Sequence, residues 1–184
     1  DDHEVVGVAL AHALTGSTTL RYLGRIATVD EALAGDPPAD IVVLDLRLAD
    51  ESSPAQNVHA LVDAGVIVFV YTSGESPYLI RLAAQTPIAG LTRKSAPLGD
   101  LVAALELCAR GGVAFSSDWA AAILSDHGLD EVGLSPRERE VLVLLAAGVP
   151  TKHAAAQLGI AIPTLEVHLA RLREKYARIG RPAQ

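Results

Sequence analysis

Hydrophobic positions along the first 112 residues follow two patterns in alternation. Ile41-Val-Val-Leu44 and Val66-Ile-Val-Phe-Val-Tyr71 are unbroken apolar runs of strand length, as strands covered on both faces require. Around them lie Val5 to Leu14, Val29 to Ala34, Val58 to Ala64, Pro77 to Ala84 and Asp100 to Arg110, whose apolar positions recur at helical spacing. Arg25 to Val29 is a shorter strand candidate, and Gly90 to Thr92 is expected to close the sheet. Strands alternating with helices predict a doubly wound α/β unit with a parallel sheet. Such a sheet needs a central strand ahead of Asp1 and Asp2, so the sequence is expected to start late within that unit.

From Leu134 the strand-length runs stop and three helices are predicted. Ser135 and Glu138 form a Ser-x-x-Glu capping box with Pro136 at the first helical position. Val141, Leu142, Leu144 and Leu145 share a face of the first helix, which Gly148 and Pro150 end. Thr151 is expected to cap the second helix, Ala154, Ala155 and Leu158 to form its buried side, and Gly159-Ile-Ala161 to make a tight turn. Pro163 falls in the first turn of the third helix, where Leu165, His168, Leu169 and Leu172 face a small core. Thr164, Glu166, Val167, Ala170, Arg171 and Arg173 are left toward solvent or a DNA groove.

Leu134-Ser-Pro-Arg-Glu-Arg-Glu-Val-Leu142, Gly148, Ala155-Ala-Gln-Leu-Gly-Ile160 and Thr164-Leu-Glu-Val-His168 resemble the LuxR/FixJ (NarL) type of helix-turn-helix domain. The resemblance implies that the third helix lies in the major groove, that Thr164 contacts phosphate, and that Glu166, Val167 and Ala170 stand at the base-reading positions. Many members carry lysine at the first of these and a polar or basic residue at the last; here they are Glu166 and Ala170. Glutamate can accept from a cytosine amino group, and valine or alanine can pack on a thymine methyl. The family's domain usually continues into a fourth helix used in dimer contact, so the C-terminus is expected to be clipped.

Charge sharpens the picture because it is divided unevenly. Residues 134–184 hold eight Lys/Arg against four Asp/Glu, a balance of +4, while residues 1–133 hold seven against eighteen, a balance of −11, within a net charge of −7. The basic excess is confined to the segment that resembles a DNA reader, where Arg171, Arg173, Lys175, Arg178 and Arg181 could neutralise phosphates. No apolar run approaches the roughly 20 residues of a membrane span, and no leader pattern opens the chain, so a cytoplasmic protein is expected. The single Cys108 excludes an internal disulfide and lies in an apolar helical run, the setting of a structural thiol.

Doubly wound sheets place their chemistry at the carboxyl ends of the strands. Asp45 follows the first apolar run, Thr72 the second, and Lys94 the Gly90 strand, while Asp1 and Asp2 precede the first helix. Clustered carboxylates call for a cation, and Mg2+ with oxygen ligands is the natural one. An aspartate beside such an ion can attack a phosphoryl group, with lysine and hydroxyl groups compensating the charge.

Asp1-Asp2-His3, Leu44-Asp45-Leu46-Arg47, Tyr71-Thr72-Ser73 and Arg93-Lys94-Ser95, in that order, resemble the receiver domain of two-component response regulators, a flavodoxin-like fold. The resemblance implies that Asp45 is the phosphoacceptor. It implies that Asp1, Asp2, Asp45 and the backbone carbonyl of Arg47 hold Mg2+, that Thr72 senses the phosphoryl group, and that Lys94 pairs with it. Leu91 stands three residues before Lys94, where many receivers place a switching aromatic, so aromatic switching is expected to be absent. Asp50 is expected to add negative charge near the site, in a loop lengthened by Glu51 to Pro54.

The organisation expected is therefore a receiver over residues 1–112, a linker over 113–133 and an all-α helix-turn-helix domain over 134–184. Within the linker, Gly111-Gly112 is a hinge, Trp119 to Leu124 a short helix, and Ser125 to Gly128 with Gly133 a flexible run. His12, His59 and His127 lack zinc-ligand spacing, and His3 is expected at the mouth of the acidic site. Ser52, Ser53, His59 and Asp63 lack a nucleophile elbow, and no glycine-rich phosphate loop follows a strand, so an enzyme is not expected. The function expected is a transcriptional response regulator that takes phosphate from a sensor histidine kinase and binds promoter DNA as a homodimer. The alternative is an atypical receiver that binds a ligand or protein without phosphorylation and keeps the same DNA-binding output.

Overall fold

The computed structural model describes residues 4–36, 38–74 and 76–179, with side chains from Val6 onward. Its sheet has four parallel strands in sequence order: β1 Ile41–Leu44, β2 Ile67–Thr72, β3 Gly90–Arg93 and β4 Ala114–Phe115. Leu44 pairs with Val70, and Thr72 with Arg93, so the carboxyl ends of β1, β2 and β3 form one rim. Parallel strands need crossover connections, and helices supply them. On one face α1 (Glu4–Ala13) packs against α5 (Leu98–Ala109) over Phe69 and Tyr71. On the other lie α2 (Val29–Leu33), α3 (Pro54–Asp63) and α4 (Pro77–Ala84).

Two strand expectations are corrected. Arg25 to Val29 forms no strand; instead, Thr28 Oγ1 accepts from Glu31 N–H and starts α2 at Val29. Gly90 to Thr92 does not close the sheet, because β4 pairs beyond it in the register Gly90 to Ala114. That approach needs glycine. A Cβ at Gly90 would stand 2.4 Å from Phe69 Cε2 and 2.5 Å from Ala114 O.

The C-terminal helices are α6 (Ser117–Leu124), α7 (Pro136–Ala146), α8 (Thr151–Leu158) and α9 (Ile162–Ile179), with a 3-10 turn at Leu129–Val132 between α6 and α7. The capping box forms as the sequence predicts: Ser135 Oγ accepts from Glu138 N–H at 3.3 Å, and Ser135 N–H donates to Glu138 Oε2 at 2.7 Å. Thr151 is not a cap. It is the first helical residue of α8, and Pro150 ahead of it has no hydroxyl to offer. Ile160 N–H closes back onto Ala155 O at 3.0 Å and turns the chain into α9.

Between residues 113 and 133 the short helix expected at Trp119 to Leu124 forms, starting two residues earlier at Ser117. Helix α6 buries Trp119, Ala120, Ala122 and Ile123, packing against α4 on one side and α7 on the other. One apolar cluster runs from Val58 and Ile80 through Trp119 and Ile123 to Leu142, Leu165 and Tyr176. Phe115 stacks on Trp119 with ring centroids 3.8 Å apart, which fixes β4 to α6.

Two substitutions test this packing. Gly90→Ala is expected to lose about 2 kcal/mol of stability in urea melts, as overpacking between strands does. Trp119→Ala is expected to lose about 3–5 kcal/mol and to separate one thermal transition into two, since it empties the core shared by the two halves.

Candidate functional site

At the rim, three strand ends bring Asp45, Thr72 and Lys94 together. Asp45 follows β1 and is only 7% exposed; its Oδ2 accepts from Lys94 Nζ at 2.7 Å and its Oδ1 from Arg47 N–H at 3.2 Å. Lys94 is positioned by the sheet, since its N–H donates to Thr72 O at 2.8 Å and its carbonyl accepts from Tyr71 OH at 3.3 Å. Thr72 is also buried, and its Oγ1 accepts from Gly74 N–H at 3.3 Å. Burying a carboxylate is tolerable here because an ammonium meets it; removing either partner strands a charge.

Asp1, Asp2 and His3, the remaining members of the expected acidic site, lie outside the described residues. Among the described residues no group of three His, Cys, Asp or Glu side chains could hold a metal ion. Asp50 is exposed in the loop after Asp45. Its Oδ1 accepts from Ser52 N–H at 3.0 Å and Ser52 Oγ at 2.6 Å, while Asn57 Nδ2 donates to Ser52 Oγ at 2.7 Å. The Ser52 hydroxyl and N–H hold the Asp50 carboxyl below its ordinary value, so it keeps its negative charge in the loop after Asp45. Leu91 lies buried beneath the rim.

The second candidate surface is α9. Thr164, Val167 and Arg171 are exposed, whereas Glu166, Ala170 and Arg173 are partly covered. The covered side faces the α/β half across a cleft of about 380 Å³, bounded by Ile162, Glu166 and Leu169 on α9, Lys152 on α8, and Ala104 and Phe115 opposite. Arg173 closes this arrangement: its Nη1 donates to Ile88 O at 3.5 Å, and its Nε is buried without a hydrogen-bond partner. The six residues singled out on the third helix thus divide into an exposed set and a partly covered set, of which Glu166 lines the cleft and Arg173 reaches Ile88.

Several polar links were not apparent from the sequence. Lys152, exposed in the first turn of α8, lines the cleft together with Glu166. Lys175 Nζ bridges Glu138 Oε2 at 2.7 Å and Gly133 O at 3.0 Å, which pins α9 to the capping box of α7. The Tyr176 hydroxyl donates to Asp126 Oδ2, which Gln85 Nε2 also approaches at 3.4 Å. Arg93 forms a two-point ion pair with Asp118 at the start of α6. Cys108 is buried with its Sγ toward Ala89 O at 3.6 Å, and burial pushes the thiol up to about 11, as befits a structural cysteine.

Comparison with known proteins follows these two surfaces. Residues 132–177 match the luxR family of bacterial regulatory proteins. Across 95% of this chain and 88% of the relative, the sequence is 29% identical to the transcriptional regulatory protein UhpA of Escherichia coli. It is 26% identical to the transcriptional regulatory protein LiaR of Bacillus subtilis, over 95% of this chain and 87% of that protein. Residues 132–177 thus carry a luxR-type helix-turn-helix domain, and the chain over nearly its whole length is similar to transcriptional regulatory proteins. Solved response regulators share the fold. RcsB of Salmonella enterica serovar Typhimurium, bound to promoter DNA with a phosphomimetic, superposes with a TM-score of 0.57 at 19% identity, covering 97% of this chain and 96% of that one. The response regulator ChrA of a heme-sensing two-component system superposes at 0.56 with 24% identity, covering 100% and 89%. No helix of the described residues is long and apolar enough to cross a membrane.

In this chain, the Asp126 and Tyr176 contact should be visible in acid. The Tyr176 hydroxyl holds the Asp126 carboxyl below its ordinary value, and burial together with Asp126 pushes the phenol up. A lowered folded value contributes stability that is complete above the ordinary carboxylate range, about pH 4, and is lost as pH falls through the folded value. Melts between about pH 2 and 5 should therefore show Asp126→Asn with a flatter acid limb than the wild type. Equal slopes would remove this contact from the account.

Proposed function

We propose that this chain is a transcription factor whose DNA binding is controlled by phosphorylation of Asp45. The observation that carries the reading is the Asp45 and Lys94 pair at 2.7 Å, with Thr72 beside it on parallel strand ends, in a chain whose last three helices match the luxR family. Asp45 Oδ attacks the phosphorus of a phosphohistidine on a sensor kinase; the P–N bond breaks, an acyl phosphate forms, and the imidazole leaves with the electron pair. Lys94 moves its positive charge from the carboxylate to the new phosphoryl oxygens, and the Thr72 hydroxyl donates to one of them.

Mg2+ fits this chemistry through the oxygen donors present, the Asp45 carboxylate and the Arg47 carbonyl, with Asp1 and Asp2 as the further ligands. When bound, it neutralises phosphoryl charge. At the other end of the molecule Thr164, Arg171 and Arg173 contact backbone phosphates, while Glu166, Val167 and Ala170 face base edges. Two copies bind paired half-sites in the cytoplasm. Arg173 must leave Ile88 O to reach DNA, so the DNA-bound state separates α9 from the sheet.

Incubation with a small-molecule phosphodonor and magnesium should give a hydroxylamine-labile adduct that is absent in Asp45→Ala. No adduct in the wild type would overturn phosphorylation control in favour of an unphosphorylated binding module. In gel shifts, Thr164→Ala and Arg171→Ala should each weaken DNA retention about tenfold, by loss of one phosphate contact of about 1.4 kcal/mol. Undiminished retention in both would overturn the groove assignment.

A further inference from the structure

Arg93 ends β3, one residue before Lys94, and points out of the acidic site. Its Nε donates to Asp118 Oδ2 at 2.6 Å and its Nη2 to Asp118 Oδ1 at 2.5 Å, the parallel two-point geometry that a guanidinium offers a carboxylate. Asp118 lies in the first turn of α6, immediately before Trp119, which is completely buried in the core shared by both halves. One side of the guanidinium is walled by the turn after β2. A Cβ at Gly74 would meet Arg93 Nε at 2.9 Å and Cζ at 3.1 Å, and Gly74 holds φ +76°, a conformation suited to glycine. The N–H of that same Gly74 donates to Thr72 Oγ1.

These contacts form an unbroken sequence from the acidic rim to the C-terminal half: Thr72 hydroxyl, Gly74 turn, Arg93 guanidinium, Asp118 carboxylate, α6. Leu91, buried under the rim, has no polar group with which to report a change there. We propose that the Arg93 and Asp118 ion pair is a clasp through which the Thr72 to Gly74 turn governs helix α6, and with it the access of α9 to DNA. The inference rests on the phosphorylation and DNA readings above. When Thr72 rotates to meet a phosphoryl oxygen, its Oγ1 gives up Gly74 N–H, the turn relaxes against the guanidinium, and the two-point pair opens. Helix α6 then loses its N-terminal anchor, and the hold on α9, which α6 shares through α7, weakens. The element with two arrangements is α6, and both the rim and the DNA-reading helix act on it.

The test uses the full chain and amide hydrogen exchange across residues 117–124. Asp118→Asn and Arg93→Gln should each speed exchange in α6 and raise DNA affinity without phosphodonor about five- to tenfold, since a closed population taxes apparent affinity. The exchanged pair, Arg93→Asp with Asp118→Arg, should return both readings toward wild type. Gly74→Ala keeps both charges but pushes on the guanidinium, and should behave like the single variants. Thermal melts identify any variant that fails to fold, and the exchanged pair then decides. Wild-type exchange in α6 should also rise on phosphorylation and add nothing further in Asp118→Asn. Unchanged α6 exchange in the single variants, or no recovery in the exchanged pair, overturns the clasp. A wild type that takes phosphate with α6 exchange unmoved overturns the route from Thr72. A wild type that takes no phosphate defeats the reading above instead, while the exchange measurements on the variants still decide the clasp.

Discussion

Helix α6 carries an apolar stripe that must be covered on two sides, and much of the architecture depends on how that demand is met. Trp119 and Ile123 are completely buried and Ala122 nearly so, a set too wide for one neighbouring helix. Covering it takes α4 from the α/β half and α7 from the helical half. Once α7 is placed, Glu138 and Lys175 place α9, and Tyr176 reaches Asp126 just beyond α6. Burial of a side chain the size of Trp119 contributes on the order of 3 kcal/mol, comparable to a large part of a small domain's net stability. The segment between the two halves is thus a structural joint.

Electrostatics at the rim follow a different logic. Asp45 and Lys94 are joined at 2.7 Å with little exposure, and such a pair adds little net stability because both charges lose water. Its value is positional. The ammonium stands where new negative charge would appear, and the sheet holds it through Thr72 O and Tyr71 OH rather than through solvent-facing contacts. The Arg93 and Asp118 pair a residue away is more exposed, which suits a contact meant to open.

What the sequence made legible follows from which forces are local. β1 and β2 are covered on both faces, so their apolar runs are unbroken, and Asp45 and Thr72 stand out as the first polar residues after them. The Ser135 and Glu138 box is a contact between residues three apart, and it formed as predicted. Contacts set by tertiary placement were not legible. β4 is two residues long and exists because glycine at position 90 admits a neighbouring strand. Arg25 to Val29 has the composition of a strand, but Thr28 and Glu31 cap a helix there. Asp50 carries a charge next to the site in sequence, and its contact with Ser52 was not legible there. Helical periodicity gave the buried face of α9 correctly at Leu165, Leu169 and Leu172, but not that Glu166 and Arg173 would face the other half.

Helix α9 is therefore one wall of a cleft and, in the function proposed, the helix that meets DNA, and it cannot serve fully as both at once. The most direct measurement is amide hydrogen exchange at residues 162–173 and 104–116, with and without DNA carrying the regulator's own site. The account predicts that DNA slows exchange on α9 while exchange speeds at 104–116, as that wall of the cleft is uncovered. Slower exchange on α9 with 104–116 unchanged would contradict it, because the reading face would then have been free from the start.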